Sequence, residues 1–206
     1  MLLVTSLVLA SSCVGGGSGE SEQENSEQGA EESAEDNDSQ SSTQTMGSFD
    51  EDKPFDLQFI DQMIIHHQGA IMSAEHMIAD SERPELRQLS ENIQTSQAEQ
   101  IEQMRAWREE WCPDAGPTFE LDPTQMQEMM GDNQMQEMMG TEGTDAMFLR
   151  MMIPHHQLAI DMSEQALDNA EHPELKELAQ QIIDEQSAEI ELMEGYLERI
   201  EAGNGP

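Results

Sequence analysis

Hydrophobic residues recur every three or four positions along two stretches of the chain, which is the spacing of one face of an α-helix. The first stripe, which includes a histidine, consists of Phe59, Met63, Ile64, His67, Ala70, Ile71, Ala74 and Ile78. After a polar break comes Pro84, which suits the first turn of a helix, and then a second stripe: Leu86, Leu89, Ile93, Ile101 and Met104. No segment alternates with a period of two long enough to indicate a sheet, so the pattern predicts helices.

The same pattern occurs again 89 residues further along the chain. Residues 56–104 align with residues 145–193 without a gap, and each copy carries a histidine pair. Such self-similarity indicates a duplicated unit. Each copy predicts two helices, so we expect an αα-hairpin at 55–112, a second at 145–202 and a connector at 113–144. Two such hairpins predict an all-α four-helix bundle with pseudo-twofold symmetry.

Pro154 lies inside the third predicted helix, where the first copy has Ile65. A proline in a helix interior removes one backbone hydrogen bond and leaves the carbonyl of Arg150 without its partner. Either the helix kinks there, or its regular part begins at Pro154. The shared feature does not require this proline, whereas both copies keep the histidine pair.

The N-terminal segment 1–13, MLLVTSLVLASSC, is apolar and ends in small residues before Cys13. It is too short to span a bilayer and resembles an export signal followed by a bacterial lipobox. We therefore predict cleavage before Cys13 and attachment of a lipid anchor to it. Residues 14–54 contain almost nothing that a core could bury and predict a disordered acidic linker.

Acidic residues outnumber basic residues 44 to 8, for a formal net charge of −36. This balance repels nucleic acid and anionic lipid headgroups, because both bind through Lys and Arg. It favours cations, so we expect a metal ion as the ligand and membrane contact only through the anchor. If Cys13 is lipidated, Cys112 has no intrachain partner. We then expect Cys112 to be a bystander beside Trp111, with a soft metal ligand as the alternative.

The histidine pairs lie behind methionines at helical spacing. Met63 precedes His66 and His67 by three and four residues, which places it one turn before both. Adjacent histidines point about 100° apart on a helix, so one of each pair should face the interior and the other a neighbouring helix or the rim. Each pair should then be poorly placed to bind one ion together. The full set of predicted metal ligands is Met63, His66, His67, Met72, His76, Met104, Met152, His155, His156, Met162 and Met193.

These residue types favour a soft metal. Di-iron bundles use Glu-x-x-His pairs, and no histidine here has a glutamate three residues before it. Thioether sulfur is soft and neutral and suits Cu(I) and Ag(I) better than iron, magnesium or calcium. Zinc could bind histidine but would make no use of methionine. We expect His172, whose counterpart in the first copy is Arg83, to be a surface residue.

The connector contains Met-Gln-Glu-Met-Met twice, at 126–130 and 135–139. Two interpretations remain open: the methionines capture Cu(I), or the segment is a short amphipathic helix covering one end of the bundle.

The strings FIDQMIIHHQGAI and FLRMMIPHHQLAIDM resemble the DUF305 family of bacterial envelope proteins. The resemblance covers about 55–202 and implies a ferritin-like bundle with copper-type metal binding. The family's Gln-x-x-Glu-Ile-x-x-Met pattern is intact at Gln186, Glu189, Ile190 and Met193, whereas Gln100 replaces the glutamate in the first copy. If that glutamate matters for the metal, the resemblance implies two copies that bind unequally.

The leading hypothesis is a lipid-anchored, extracytoplasmic protein that binds Cu(I) or Ag(I) and sequesters it or exchanges it with a copper donor or acceptor protein. We expect no enzymatic activity. Two alternatives are a ferritin-like metallo-oxidase and a metal-free helical module that binds a partner or senses pH.

Overall fold

The computed structural model describes residues 45–119 and 144–203. The predicted signal at 1–13, most of the acidic linker and most of the connector, including both Met-Gln-Glu-Met-Met segments, lie outside these ranges. Four helices make up the described part: α1 (Phe55–Met77), α2 (Pro84–Trp111), α3 (Thr144–Asn169) and α4 (Pro173–Glu201). Residues 45–119 and 144–203 contain no strand, and the prediction of an all-α four-helix bundle is confirmed.

Proline sets the starts of α2 and α4. Pro84 and Pro173 each occupy the first helical turn, after an extended residue, Arg83 or His172. The fixed φ of proline suits this position, and its missing N–H would have had no intrahelical partner there. The chain therefore turns sharply after α1 and after α3. Helix α1 then packs on α2, α3 packs on α4, and contacts between α1 and α3 join the two hairpins.

Pro154 lies in the interior of α3, ten residues after the helix begins at Thr144. The interpretation that the regular part of this helix begins at Pro154 is therefore wrong. Its side chain is exposed, so the ring does not interfere with the core. Packing of the helix against α1 and α4 holds it together despite the missing backbone donor.

The core consists of two apolar clusters separated by a band of polar residues. The first cluster includes Phe59, Met63, Met104, Ala159 and Ile182, and the second includes Ala70, Ile93, Phe148, Met152 and Met193. Every helix contributes to both. Along each helix, the polar residues lie between its members of the two clusters. This central polar layer contains His66, His67, Gln97, Gln100, His155, His156, Gln186 and Glu189.

Two polar contacts across the hairpins follow the pseudo-twofold symmetry. Asp56 accepts hydrogen bonds from the backbone N–H groups of Glu171 and His172 and from Nδ1 of His172, the last at 2.6 Å. Its counterpart Asp145 accepts one from Arg83, the counterpart of His172, at 2.8 Å. The expectation that His172 is only a surface residue is therefore wrong. Its ring also stacks on Trp111, with centroids 3.7 Å apart and the planes 3° from parallel.

Cys112 differs from its prediction as well. It is buried and disulfide-bonded, not a bystander thiol, and a sulfur in that state is not a thiolate ligand.

Among the described helices, none combines the length and the apolar character that crossing a membrane requires.

Candidate functional site

The site is the central polar layer, to which all four helices contribute. His66, His67 and His156 are fully buried, and His155 is partly exposed at the edge. In the second copy His156 is interior and His155 lies at the rim, whereas both rings of the first pair are buried. The two rings of that pair do take different directions: His67 faces Gln100 on α2, and His66 faces His155 on α3.

Three of the four imidazoles are held through Nε2. His66 donates to the backbone carbonyl of His155 at 2.9 Å, because a carbonyl oxygen can only accept. His156 donates to the carboxylate of Glu189 at 2.7 Å. His67 donates to Oε1 of Gln100 at 2.6 Å, and the amide of Gln100 donates in turn to Glu185 at 2.8 Å. The amide orientation of Gln100 is fixed by this chain.

These bonds determine which nitrogen is left to bind a ligand. A neutral imidazole has one N–H and one lone pair, so donation through Nε2 leaves the lone pair on Nδ1. Nδ1 of His66, His67 and His156 is buried and has no hydrogen-bond partner within the described residues. Metal-ligating histidines usually have this arrangement, in which the other ring nitrogen donates to a carbonyl or carboxylate that fixes the tautomer.

Unpaired polar atoms are concentrated in this layer. Of the buried side-chain nitrogen and oxygen atoms that lack a partner in the described part of the chain, all but the hydroxyl of Ser163 belong to His66, His67, Gln97, His155, His156 and Gln186. Leaving such a group unpaired costs about 1–3 kcal/mol. Six residues that accept this cost in one layer indicate a site built for a ligand rather than for stability.

The spacing within each pair fits a shared ion. The ring centroids of His66 and His67 are 6.1 Å apart, and those of His155 and His156 are 6.3 Å apart. Two rings that face one ion with a nitrogen each have centroids about 6 Å apart, since each metal–nitrogen bond is about 2 Å long. The expectation that adjacent histidines are poorly placed to bind one ion together stays a prediction, because the centroid distances do not locate the Nδ1 atoms.

Burial favours the uncharged form of three of the four imidazoles. Desolvation, followed by repulsion from His155 and His67, lowers the pKa of His66 well below its ordinary value of 6.5. Desolvation is also the main cause that lowers the pKa of His67 to about 4 and that of His155 to about 3. These imidazoles are therefore uncharged at neutral pH, and each keeps a lone pair that a metal can use.

Methionines lie on both sides of the layer. Met63 and Met104 belong to the first apolar cluster, with Met162, and Met152 and Met193 belong to the second. Met63 and Met152 each lie one turn before a histidine pair, whereas Met104 and Met193 lie one turn after Gln100 and Glu189. Each cluster therefore places sulfur next to the polar layer.

Met72 and His76 lie elsewhere. Met72 is 37% exposed, and His76 is exposed and donates through Nδ1 to the backbone carbonyl of Met72 at 2.8 Å. The structure does not bring these two residues together with the buried histidines.

Sequence reasoning missed Gln97 and Glu185 as parts of the site. Gln97 recurs as Gln186 in the repeat, and both are buried with unpaired amides, so the repeated glutamine was a usable signal. Glu185 has no such signal, because its role depends on contact between α2 and α4.

No three or more His, Cys, Asp or Glu side chains within 45–119 and 144–203 are grouped so as to hold a metal ion. An ion held by two imidazole nitrogens, with thioether sulfur as a further ligand, does not need three such side chains in one group.

The fold and the site define a duplicated helical bundle with paired histidines buried at its centre. The chain belongs to the DUF305 family, described as a domain of unknown function, whose model matches residues 15–108 and 56–197. The resemblance noted in the sequence is thereby confirmed. No curated protein sequence matches the chain closely enough to be counted as a relative.

Three solved structures share the fold. CopM in its Cu(I)-bound form is 33% identical, with a TM-score of 0.58, and the match covers 70% of this chain and 96% of CopM. A DUF305 fragment from Deinococcus radiodurans is 36% identical, with a TM-score of 0.61 over 71% of this chain and 97% of the fragment. A DUF305 protein from Streptomyces coelicolor, assigned as secreted, is 26% identical, with a TM-score of 0.57 over 68% and 90% of the two chains.

Proposed function

We propose that this protein binds soft monovalent ions, Cu(I) and Ag(I), outside the cytoplasm and sequesters them or passes them on. The observation that carries this proposal is the set of unpaired, buried Nδ1 atoms on two histidine pairs. The ring centroids are 6.1 Å apart in the first pair and 6.3 Å apart in the second, and a methionine precedes each pair by one helical turn.

The donor set favours a monovalent soft ion over a divalent hard one. Thioether and uncharged imidazole ligands do not balance the charge of a bound ion, and a low charge is easier to bury. The carboxylates of Glu185 and Glu189 accept hydrogen bonds from Gln100 and His156 and so support the ligands. CopM, which shares this fold, has been solved with Cu(I) and with silver.

A competition titration tests the proposal. Apo-protein is titrated with Cu(I) against bicinchoninate, whose Cu(I) complex absorbs visible light, under anaerobic conditions. We expect the wild-type chain to withdraw copper from the chelator and a variant with His66, His67, His155 and His156 all replaced by alanine to lose that ability. A His76→Ala variant is the matched control, because His76 is an exposed histidine of the same helix.

Equal withdrawal by the wild type and the four-histidine variant would remove the proposal. Circular dichroism on both variants checks that the bundle still forms. Ag(I) should also raise the melting temperature of the wild type, since a ligand that binds only the folded state stabilises it.

We also propose that the protein is a binding protein and not an enzyme. The supporting observation is the donor set itself, in which the nearby carboxylates contact amide or imidazole N–H groups. Oxygen consumption by the copper-loaded protein tests this: turnover with Cu(I) or Fe(II) as the electron donor would contradict it.

The extracytoplasmic location rests on three observations. These are the resemblance of the segment 1–13 to an export signal, a structural neighbour assigned as secreted, and the copper-bound forms of CopM, which shares the fold. We propose the lipid anchor at Cys13 as part of the same location.

A lipid anchor on Cys13 excludes a disulfide between the two cysteines of the chain. The chain has two cysteines, and a sulfur that carries a lipid cannot also form a disulfide. Intact mass spectrometry of protein extracted from membranes separates the two states. A lipid adduct with a reactive Cys112 thiol supports the anchor, and an unlipidated chain with both cysteines oxidised contradicts it.

A further inference from the structure

The four histidines of the central polar layer differ in how firmly they are held. His66, His67 and His156 are fully buried and each donates through Nε2 to an acceptor. His155 is partly exposed, and neither of its ring nitrogens has a hydrogen-bond partner within the described residues. Its ring is in contact with that of His66, with centroids 3.7 Å apart.

The difference breaks the pseudo-twofold symmetry at one point. His66 donates to the backbone carbonyl of His155, and symmetry would require His155 to donate to the carbonyl of His66. Nε2 of His155 has no partner there. A neutral imidazole with both nitrogens shielded and unpaired is destabilised where it sits, so rotation of this ring toward water or a metal is favourable.

Met151 lies at the surface, one helical turn before His155. Met151 precedes His155 by four residues, so the two side chains lie on the same face of α3. Its side chain is 40% exposed. A thioether at the surface therefore lies one helical turn from the histidine at the edge of the layer.

Pro154 weakens the helix at this turn. Its missing N–H leaves the carbonyl of Arg150 without the usual helical partner, and the first copy has Ile65 at the same position. The backbone of 150–154 can therefore adjust with less loss of hydrogen bonding than the corresponding turn of α1. Pro154, which has no counterpart in the first copy, directly precedes His155, whose two ring nitrogens have no hydrogen-bond partner within the described ranges.

We propose that His155 is a mobile ligand through which metal enters and leaves the bundle, so that the His155–His156 pair exchanges ions and the His66–His67 pair retains them. This rests on the proposed function. An ion bound by the sulfur of Met151 at the surface is taken over by His155, and the ring then carries it to Nδ1 of His156. At each step one metal–ligand bond forms as another breaks, and the ion keeps its charge and oxidation state.

Two alanine variants at symmetry-related positions test the proposal. His155→Ala removes the mobile ring, and His66→Ala removes its held counterpart. Each protein is loaded with Cu(I) and mixed with excess bicinchoninate, and release is followed by stopped-flow absorbance. Equilibrium affinity is measured on the same samples.

We expect His155→Ala to slow release by at least roughly tenfold, equivalent to about 1.4 kcal/mol in the barrier, while ion retention at the first pair persists. His66→Ala should lower the amount of tightly bound copper without abolishing the fast phase of release. Met151→Leu should slow uptake while keeping the volume of the side chain.

Release from His155→Ala at the wild-type rate would overturn the proposal while leaving copper binding intact. A wild-type protein that binds no Cu(I) would instead overturn the proposed function, and the mobile ligand with it. Loss of all binding in His155→Ala, matched by the same loss in His66→Ala, would show two equivalent static ligands and also overturn it.

Discussion

Asp56 of α1 accepts a hydrogen bond from Nδ1 of His172 at 2.6 Å, across the junction between the two hairpins. The same carboxylate accepts the backbone N–H groups of Glu171 and His172, just before α4 begins. One buried side chain of the first copy thus fixes the turn of the second. The symmetry-related carboxylate, Asp145, accepts hydrogen bonds from the side chains of Arg83 and Ser81 in the turn before α2.

Replacing Asp56 by asparagine should lower the free energy of unfolding by about 2 kcal/mol, because hydrogen bonds to a charged group contribute about 1.5–3 kcal/mol each and the amide can replace only part of them. Urea denaturation measures the change. Asp168→Asn, at an exposed position of α3, is the control and should leave the midpoint unchanged. If Asp56→Asn also left the urea midpoint unchanged, Asp56 would not be what holds the junction between the two hairpins.

Pro154→Ile should raise the free energy of unfolding by about 1–3 kcal/mol, because proline is about 3 kcal/mol less favourable than alanine inside a helix. Isoleucine is the residue of the first copy, and Pro154 is exposed, so the new side chain meets no core atoms. Thermal unfolding of the apo-protein gives the measurement. An unchanged or lower melting temperature would mean that the backbone of α3 is already adapted to the proline.

Glu189→Gln should weaken Cu(I) binding at the second pair by about tenfold. This is at the lower end of the loss in metal affinity that follows when the hydrogen-bond partner of a metal ligand is replaced. The carboxylate that accepts Nε2–H of His156 raises the basicity of Nδ1, and a neutral amide does this less well. The variant would resemble the first copy, where Gln100 has this role. Competition titration should therefore show a weaker second site in the variant than in the wild type and an unchanged first site.

The converse change, Gln100→Glu, is not expected to strengthen the first site. Gln100 donates to Glu185 at 2.8 Å, so a carboxylate at position 100 would face another carboxylate. This variant should be less stable in urea than the wild type, and a more stable one would contradict the assigned amide orientation.

Replacing Met63 and Met152 together by leucine should reduce Ag(I) affinity by roughly tenfold, because the sulfur is lost, with a stability cost under about 1.5 kcal/mol because the volume is nearly conserved. Isothermal titration calorimetry measures the affinity, and Met72→Leu is the control at an exposed position. Unchanged affinity in the double variant would show that the histidine nitrogens bind the ion without sulfur.

The apo-protein should lose stability as the pH falls from about 6.5 to about 4. Burial lowers the pKa of His67 to about 4, whereas an unfolded histidine keeps a pKa near 6.5. Between these values the unfolded chain binds a proton that the folded chain does not, so acid favours unfolding by up to about 1.4 kcal/mol per pH unit for each such histidine.

Comparison with His67→Gln isolates this effect, because both proteins share the same acidic surface. The difference in the free energy of unfolding between wild type and variant should shrink as the pH falls through this range. A difference that stays constant from pH 7 to pH 4.5 would contradict the lowered pKa.

The sequence by itself determined the four helices and their duplication. Apolar residues every three or four positions set the buried faces, and Pro84 and Pro173 set two helix starts, because both effects are local. It also located the histidine pairs and the methionines before them. The position of Met63 and Met104 in one cluster and Met152 and Met193 in the other follows the repeat that the sequence already shows.

Only the tertiary structure decided which nitrogens are available and which histidine is loosely held. The Nε2 bonds join residues 33 or 89 positions apart, and Gln100 contacts Glu185 across the hairpins, so no local pattern encodes them. The same holds for His172, which a local reading placed on the surface and which Asp56 and Trp111 hold in place. Local spacing fixes the face of a helix on which a residue lies, whereas hydrogen-bond partners and burial depend on how the helices pack against each other.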